Sequence, residues 1–330
     1  MNAIVFDKHG SPEQVLALRE VPKPVPARGQ VLVRMLASPI NPSDLLYIEG
    51  QYTVRPTLPA TPGFEGVGVV EASGGGLLGW LRKGKRVAVL NDRVGNWGDY
   101  TITTARQVIP VPADIPDDQA ATFFINPMTA VAITRHVLAV PRGEWLLQTA
   151  AGSALGRMVI RLGKAHGFRT MNFVRRKEQM AELWAHGADA VLCEADGPIA
   201  EQVRARTNGA GVKFAMDPVG GETGSQVVQS LADGGHAVLY GLLSGEPIHL
   251  DPRFLITGSK KVEGFWLGNW AKKQRIVSML GHIRQVRRLM REGVLKTEIA
   301  ATYPLTEIAA AVRHAAQPGK NGKVLLRIST

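Results

Sequence analysis

The chain has 330 residues, of which 45% are hydrophobic and 20% charged. This length allows about two domains of 100 to 200 residues each, and the composition excludes a mostly disordered chain. The formal net charge of +11 favours anionic partners. However, the cations are spread along the chain without a basic ribbon interleaved with aromatic residues, so we do not expect nucleic-acid binding.

The sequence contains no apolar run of about 18 residues and no apolar stretch behind a basic N-terminal region. We therefore expect a cytoplasmic protein without a membrane partner. The single cysteine, Cys193, excludes a disulfide within the chain and a structural zinc site built from several thiolates.

Short β-branched runs separated by glycine and proline fill roughly the first 110 residues. They are QVLVRMLAS (30–38), GVGVVEA (66–72), KRVAVL (85–90) and DYTITT (99–104). Strands of this length and spacing, without helical patterns between them, predict an irregular β domain.

The pattern changes near residue 118, where helical periods begin to alternate with short apolar runs. Predicted strands lie at 145–149, 170–174, 190–193, 212–216, 236–240 and 261–267, and predicted helices at 154–166, 176–186 and 198–206. Because parallel strands need crossovers of about this length, the pattern predicts a doubly wound parallel sheet with helices on its faces.

A long basic helix is predicted at 271–292, and a final strand, KVLLRI at 323–328, again resembles the β half. The two ends of the chain should therefore build one domain. We expect this discontinuous domain to comprise residues 1–120 and 268–330, with the α/β domain at 121–267 inserted between them.

The turn AAGSALG (150–156) lies between the first predicted strand of the α/β domain and its helix. Dinucleotide-binding folds place a small-residue turn at this position, so that backbone amides and the helix N-terminus can approach a pyrophosphate. Against the pattern GxGxxG the chain supplies Ala151, Ser153 and Gly156, so two of the three glycines are replaced. The turn predicts a dinucleotide site.

Three cations, Arg175, Arg176 and Lys177, follow the second strand, about twenty residues beyond the turn. An NAD site normally has a carboxylate at this point against the ribose 2′-hydroxyl. A carboxylate would repel a 2′-phosphate, whereas a guanidinium binds it with charge-assisted hydrogen bonds. The sequence therefore favours NADPH over NADH.

The segment TPGFEGVGVV (61–70) resembles the glycine-rich strand turn of zinc alcohol dehydrogenases, in which a histidine beside the glutamate binds the metal. In this chain that position is Phe64, which has no lone pair, and no cysteine lies near residues 35–45 or 150. We therefore expect no catalytic zinc. Without a Lewis acid, hydrogen bonds must polarise the substrate oxygen, which favours reduction of an activated double bond over alcohol oxidation.

Taken together, the chain resembles the mitochondrial-type 2-enoyl thioester reductases of the medium-chain dehydrogenase/reductase superfamily, which also contains the quinone oxidoreductases. The resemblance covers nearly the whole chain and implies an α/β fold with a GroES-like β domain and a Rossmann domain. It is carried by INPSDLLYIEGQY (40–52), LPATPGFEGVG (58–68), FINPMTA (124–130), RTMNFVRR (169–176), YGLLSG (240–245) and GFWLGNW (264–270).

The resemblance also implies roles for single residues. Tyr52 corresponds to the proposed proton donor, with Asn41 beside it, and Asn126 and Thr129 would lie at the nicotinamide end of the cofactor. The other implied cofactor residues are Gly152, Ser153, Ala154, Leu155 and Gly156 at the pyrophosphate; Arg175, Arg176 and Lys177 at the 2′-phosphate; Tyr240, Gly241, Leu242, Leu243, Phe265, Trp266 and Leu267 at the nicotinamide; and Lys323.

The expected activity is NADPH-dependent reduction of a trans-2-enoyl thioester, with hydride addition at the β-carbon and a proton at the α-carbon. One alternative is an NADPH-dependent quinone or enone reductase, and another is a non-catalytic NADPH-binding protein. Partners would be a small-molecule or acyl-thioester substrate and a second copy of the chain. A homodimer is expected because the apolar strand at 261–267 would otherwise leave an unpaired sheet edge.

Overall fold

The computed structural model describes residues 1–91 and 93–329, which form two compact units. Unit 1 comprises Met1–Ile125 and Thr297–Thr330, and unit 2 comprises Asn126–Lys296. The β unit is thus discontinuous, but residues 268–296 belong to unit 2 and not to the β domain in which the sequence analysis placed them. One reason is that the Arg161 guanidinium, on a helix of unit 2, donates from Nε to the carbonyl oxygen of Val294 at 2.9 Å.

The strands are numbered in chain order. They are β1 (Asn2–Val5), β2 (Ala17–Glu20), β3 (Gln30–Pro39), β4 (Glu65–Ser73), β5 (Arg86–Leu90), β6 (Tyr100–Thr104), β7 (Val108–Pro110), β8 (Trp145–Gln148), β9 (Arg169–Val174), β10 (Ala190–Cys193), β11 (Val212–Asp217), β12 (Leu231–Leu239), β13 (Lys261–Gly264), β14 (Ile299–Pro304) and β15 (Lys323–Arg327).

The α-helices follow in the same order. They are α1 (Pro12–Val15), α2 (Pro42–Glu49), α3 (Leu77–Arg82), α4 (Asp117–Ala121), α5 (Ile125–Val131), α6 (Ala154–His166), α7 (Met180–Ala185), α8 (Ile199–Arg206), α9 (Gly221–Gln229), α10 (Pro252–Thr257), α11 (Leu267–Lys272), α12 (Ile276–Arg291) and α13 (Ile308–Ala316). A π-helix continues α5 over Ala132–Val137, and 3₁₀ turns lie at Lys177–Gln179, Glu194–Asp196 and Leu305–Glu307.

The main sheet of unit 1 is mostly antiparallel. Its order over the described residues is β14-β15-β3-β4-β5-β7, with β6 paired to β3. Strand β3 bends around the sheet with bulges at Leu32/Val33 and Met35/Ala37. On β4, a Cβ added at Gly68 would lie 2.4 Å from the carbonyl oxygen of Arg34. The close approach of β3 to β4 therefore requires glycine there.

The sheet of unit 2 is parallel throughout and, over the described residues, has the order β10-β9-β8-β11-β12-β13. Numbered within the unit, this is 3-2-1-4-5-6, the order of dinucleotide-binding folds, and it confirms the predicted doubly wound sheet. Strand order reverses between β8 and β11, which both end near Thr149. Ligands of such sheets bind beyond the carboxyl ends of the strands at this point.

Helix α6 shows how the local sequence sets this geometry. Ser153 caps its N-terminus, because the Oγ atom accepts a hydrogen bond from the Gly156 amide at 3.1 Å. Apolar residues at helical spacing, including Leu155, Met158 and Leu162, are buried against the sheet. The helix ends at Gly167, whose φ of 81° is the left-handed conformation common at helix C-termini.

The bounds of several predicted elements differ in the structure; the strand predicted at 236–240, for example, begins at Leu231. The helix predicted at 271–292 is two helices in the structure. Helix α11 ends at Lys272, Gln274 Nε2 donates to the Trp270 carbonyl oxygen at 3.3 Å, and the extended Arg275 precedes α12. The helix predicted at 176–186 begins with a 3₁₀ turn before α7. The strand predicted at 261–267 leaves the sheet after Gly264, and α11 begins at Leu267.

Among the residues that the structure describes, no helix is both long enough and apolar enough to cross a bilayer.

Candidate functional site

A network of polar side chains is buried in unit 1; we call Asn41, Asp44, Glu65 and Lys323 the Asn41 network. The amide group of Asn41 is at its centre and is 2% exposed. Its Nδ2 donates to Oε1 of Glu65 at 3.0 Å, and its Oδ1 accepts from Nζ of Lys323 at 2.7 Å. The amide thus joins a carboxylate to an ammonium group away from water.

Backbone groups complete the Asn41 network. The carboxylate of Asp44 accepts from the backbone amide of Asn41 at 2.7 Å and from that of Phe64 at 2.9 Å. The carboxylate of Glu65 accepts a hydrogen bond from the backbone amide of Ile125 at 2.9 Å. Local sequence places these groups, because Asn41 precedes the first residue of α2, Glu65 begins β4 and Lys323 begins β15.

Burial shifts the ionisation of the network towards neutral pH. It raises the pKa of Asp44 to about 7 and also raises the pKa of Glu65. The same loss of hydration lowers the pKa of Lys323 to about 8, against the attraction of Glu65. Strongly shifted pKa values of this kind are often found at functional sites. Sequence analysis assigned no role to Asp44 or Glu65, although both lie in segments, INPSD and PGFEG, that were singled out for other residues.

Tyr52 lies just beyond α2 and is half-buried. Its ring centroid is 5.2 Å from that of Phe64, which in turn lies 5.2 Å from the ring of Tyr47. Tyr47 is 3% exposed and belongs to the apolar core. Of the two tyrosines that pack on Phe64, Tyr52 is therefore the more exposed one.

Phe64 has its aromatic ring at the position where a metal-ligating histidine would be expected, and the ring packs between the two tyrosines. The side-chain donor set does not fit zinc. Cys193 is buried in unit 2, and residues 1–91 and 93–329 contain no cluster of three or more His, Cys, Asp or Glu side chains that could hold a metal ion. We therefore assign no zinc ligand to the side chains around Phe64.

In unit 2, the turn after β8 has the geometry expected of a dinucleotide site. Ala150 has a φ of 47°, a conformation that residues other than glycine adopt at a cost of about 1 kcal/mol or more. A Cβ added at Gly156 would lie 2.4 Å from the carbonyl oxygen of Ala151, so α6 packs directly on the turn. Gly152, Ser153, Ala154 and Leu155 lie between these positions. The Ser153 amide donates to the Ala150 carbonyl oxygen at 2.9 Å and the Gly156 amide to Ser153 Oγ, so the amides of Ala154 and Leu155 are the ones at the helix N-terminus that suit a phosphate.

The three cations at the end of β9 are exposed. Lys177 is paired, since its Nζ lies 2.8 Å from Oδ1 of Asp196. Arg175 and Arg176 form no ion pair with other described residues, so their guanidinium groups are available to a phosphate. The structure therefore separates the predicted triplet into two accessible arginines and one lysine with a partner.

A buried carboxylate, which sequence analysis did not single out, holds the turns after β8 and β11. The carboxylate of Asp217 accepts a hydrogen bond from the hydroxyl of Thr149. It accepts a second one, at 2.8 Å, from the amide of Gly220. Burial raises the pKa of this carboxyl. The amide of Tyr240 donates to the Asp217 carbonyl oxygen at 2.9 Å. The predicted residues Tyr240, Gly241, Leu242 and Leu243 follow β12 at this edge, and burial beside Asp217 raises the pKa of Tyr240.

The remaining predicted cofactor residues occupy different places. Asn126 and Thr129 lie on α5, half-buried and buried respectively. Phe265, Trp266 and Leu267 follow the C-terminal end of β13, and the amide of Phe265 donates to the Leu239 carbonyl oxygen at 2.7 Å. Lys323 lies in unit 1 with its ammonium group on Asn41.

Known proteins are similar to this chain over nearly its full length. The "Alcohol dehydrogenase GroES-like domain" family matches residues 27–113, and the "Zinc-binding dehydrogenase" family matches residues 154–282. A mitochondrial enoyl-[acyl-carrier-protein] reductase of Xenopus tropicalis is 33% identical over 98% of this chain and 94% of its own length.

Solved structures of two quinone oxidoreductases are also similar. The Pseudomonas syringae protein superposes with a TM-score of 0.90 at 26% identity and 99% coverage of both chains. The Escherichia coli protein, complexed with NADPH, also has a TM-score of 0.90 at 25% identity, with 99% of this chain and 100% of that chain covered. Fold, site geometry and full-length similarity agree, and the chain belongs to the medium-chain dehydrogenase/reductase superfamily together with its enoyl-[acyl-carrier-protein] reductase relatives.

Proposed function

We propose that this oxidoreductase uses NADPH to reduce an activated carbon–carbon double bond, with a trans-2-enoyl thioester as substrate. Its relatives include enoyl-[acyl-carrier-protein] reductases and an oxidoreductase complexed with NADPH. One observation carries the proposal. The position of the zinc-binding histidine holds Phe64, and this ring packs on the half-buried phenol ring of Tyr52. Acid catalysis by a neutral phenol therefore takes the place of a Lewis acid.

The residues of unit 2 would bind and orient the cofactor. The turn Gly152–Ser153 and the amides of Ala154 and Leu155 would hold the pyrophosphate, and Arg175 and Arg176 the 2′-phosphate. Asn126, Thr129, the segment 240–243 and the segment 265–267 would surround the nicotinamide. When bound, NADPH supplies the hydride that adds to the β-carbon of the alkene.

Residues of unit 1 would complete the reaction at the substrate. Tyr52 would donate a hydrogen bond to the thioester oxygen, where negative charge develops, and supply the proton to the α-carbon directly or through water. Asn41 and Lys323 would act through the Asn41 network, which fixes the start of α2 and the amide of Phe64. We propose these two as positioning residues, because their polar groups are bonded to one another.

The second candidate is an NADPH-dependent quinone or enone reductase, favoured by the two similar quinone oxidoreductase structures. Steady-state kinetics with NADPH and either crotonyl-CoA or a benzoquinone distinguish the candidates. We expect the larger kcat/KM for the thioester. A quinone preference of more than tenfold would contradict the thioester proposal, and cofactor binding without turnover of either acceptor would contradict both.

A homodimer and a cytoplasmic location remain part of this proposal. Strand β13 is at one end of the described sheet of unit 2 and pairs only with β12 within it. We propose that the same strand of a second copy covers this edge. Sedimentation that shows only monomer at micromolar concentration would contradict the dimer.

A further inference from the structure

Helix α3 presents a group of large apolar side chains to solvent. Leu77, Trp80 and Leu81 are 75%, 70% and 50% exposed, and we call these three side chains the apolar tip. On the inner side of the helix Gly79 is buried and Leu78 packs against the core of the unit 1 sheet. The side chains of the apolar tip are thus not needed to hold α3 on the sheet.

The apolar tip is held on a fixed support. A Cβ added at Gly79 would lie 2.3 Å from Oγ of Ser73, so the helix backbone rests directly on the end of β4. The same Oγ accepts a hydrogen bond from the amide of Gly75 at 3.1 Å. Because α3 is already folded and packed, its outward side chains can bind a partner without first ordering the backbone.

Cations surround the apolar tip. Arg28 and Arg106 line a surface groove that is also lined by Leu77, and Lys83 lines a second groove with Leu77 and Trp80. Lys85 is exposed two residues later. These four cations form no ion pair with any residue in the described ranges 1–91 and 93–329.

Acidic groups are missing from the same region of the sequence. Residues 72–86 contain no Asp or Glu. Two acids near this region are already paired, Glu71 with Lys23 at 2.6 Å and Asp117 with Arg86. Within residues 72–86, the segment that carries the apolar tip therefore has positive side chains and no negative ones.

We propose that the apolar tip binds the surface of an anionic membrane. Leucine and tryptophan side chains partition into the boundary between headgroups and acyl chains, and nearby Lys and Arg attract anionic headgroups. A second copy of this chain is a poorer occupant, because an isologous contact would bring its cations against the same cations. The sequence-based expectation of no membrane partner rested on the lack of a spanning run, which does not bear on surface binding.

The test is vesicle co-sedimentation of the full chain. We expect binding to vesicles of mixed phosphatidylcholine and phosphatidylglycerol and weak binding to pure phosphatidylcholine. Binding to the mixed vesicles should be lost as the salt concentration rises from about 0.1 M to about 1 M, where the Debye length falls from about 10 Å to about 3 Å. The variants L77S/W80S and K83Q/K85Q should each bind the anionic vesicles at least roughly tenfold more weakly than the unchanged protein. Insertion should shift tryptophan emission to the blue, and W80F should lose this shift.

Matched controls lie in unit 2. Ile256 is 75% exposed, Trp184 is 45% exposed, and Arg204 and Arg206 are exposed cations on α8. I256S and R204Q/R206Q should bind vesicles like the unchanged protein, and W184F should keep the blue shift. Thermal unfolding checks that every variant is folded.

Three outcomes would overturn the proposal: no binding to anionic vesicles at low salt, equal binding by L77S/W80S, or equal losses in the control variants. Self-association that L77S/W80S abolishes, in a protein that binds no vesicles, would show instead that the apolar tip is a contact between copies. Vesicle binding is measured without reductase turnover, so the test is independent of the proposed reaction.

Discussion

The ammonium group of Lys323 donates a 2.7 Å hydrogen bond to Oδ1 of Asn41 across 282 residues of sequence. This bond fixes the orientation of the amide, because the opposite Nδ2 group then faces Glu65. The last strand of the chain, β15, is thereby connected to the N-terminus of α2 and, through α2, to the segment that carries Tyr52.

Removal of the Lys323 charge should destabilise unit 1. In Lys323→Met the buried Asn41 oxygen loses its donor and Glu65 loses the nearby cation that favours its ionised form, so we expect a loss of about 3 kcal/mol in the free energy of unfolding. Denaturant titration at pH 7 measures this loss. Lys320→Met is the control, since the Lys320 ammonium bonds only to a carbonyl oxygen among the described residues; equal losses in the two variants would contradict the role of the network.

The raised pKa of Asp44 should make stability depend on pH. Between about pH 4 and 7 the unfolded chain has this carboxyl ionised, whereas the native protein keeps it protonated. The native state binds more protons, so the free energy of unfolding should fall as pH rises through this window, by at most about 1.4 kcal/mol per pH unit.

Asp44→Asn should remove this contribution and make the profile less steep between about pH 5 and 7, where the raised pKa values of Glu65 and Asp217 still contribute. Asp7→Asn is the matched control. The bond to Arg19 lowers the pKa of Asp7, so this carboxyl is ionised in both states throughout the same range. Parallel profiles for the unchanged protein and Asp44→Asn would show that Asp44 is ionised in the native protein.

Loss of the Tyr52 hydroxyl should affect turnover more than substrate binding. We expect Tyr52→Phe to lower kcat by about 10²-fold to 10⁴-fold, the usual range for a positioned proton donor, and to change KM little. Tyr47→Phe tests the specificity of this effect, because Tyr47 packs on the same Phe64 ring but is buried. If both variants lost the same activity, Tyr52 would have a packing role only.

The two accessible arginines should discriminate between the cofactors. Arg175→Ala and Arg176→Ala should each raise the Kd of NADPH by about tenfold to 100-fold and leave that of NADH nearly unchanged, because only NADPH carries the 2′-phosphate. Lys177→Ala should have a smaller effect, since this ammonium group is already paired with Asp196. Fluorescence titration with both nucleotides measures the difference, and equal weakening of both would exclude a 2′-phosphate site.

Local sequence patterns were sufficient for most of the α/β half. Alternation between short apolar runs and helical periods predicted the strands of the doubly wound sheet, and the bounds predicted for the helix at 154–166 agree with α6. Such patterns succeed because a helix or strand is selected by which of its own side chains must be buried. The break between α11 and α12 was missed because residues 273–275, Lys-Gln-Arg, contain neither glycine nor proline and so give no local stop signal.

The sequence by itself determined which chemical groups are present: a phenylalanine at the metal position, arginines after the second strand and a phenol beyond the NPSD turn. Only the tertiary structure decided that Asn41, Asp44, Glu65 and Lys323 meet, and that Lys177 is paired while Arg175 and Arg176 are accessible. The physical reason is that burial and electrostatic coupling depend on contacts between distant parts of the chain. A local pattern contains no information about which distant charge will lie beside it.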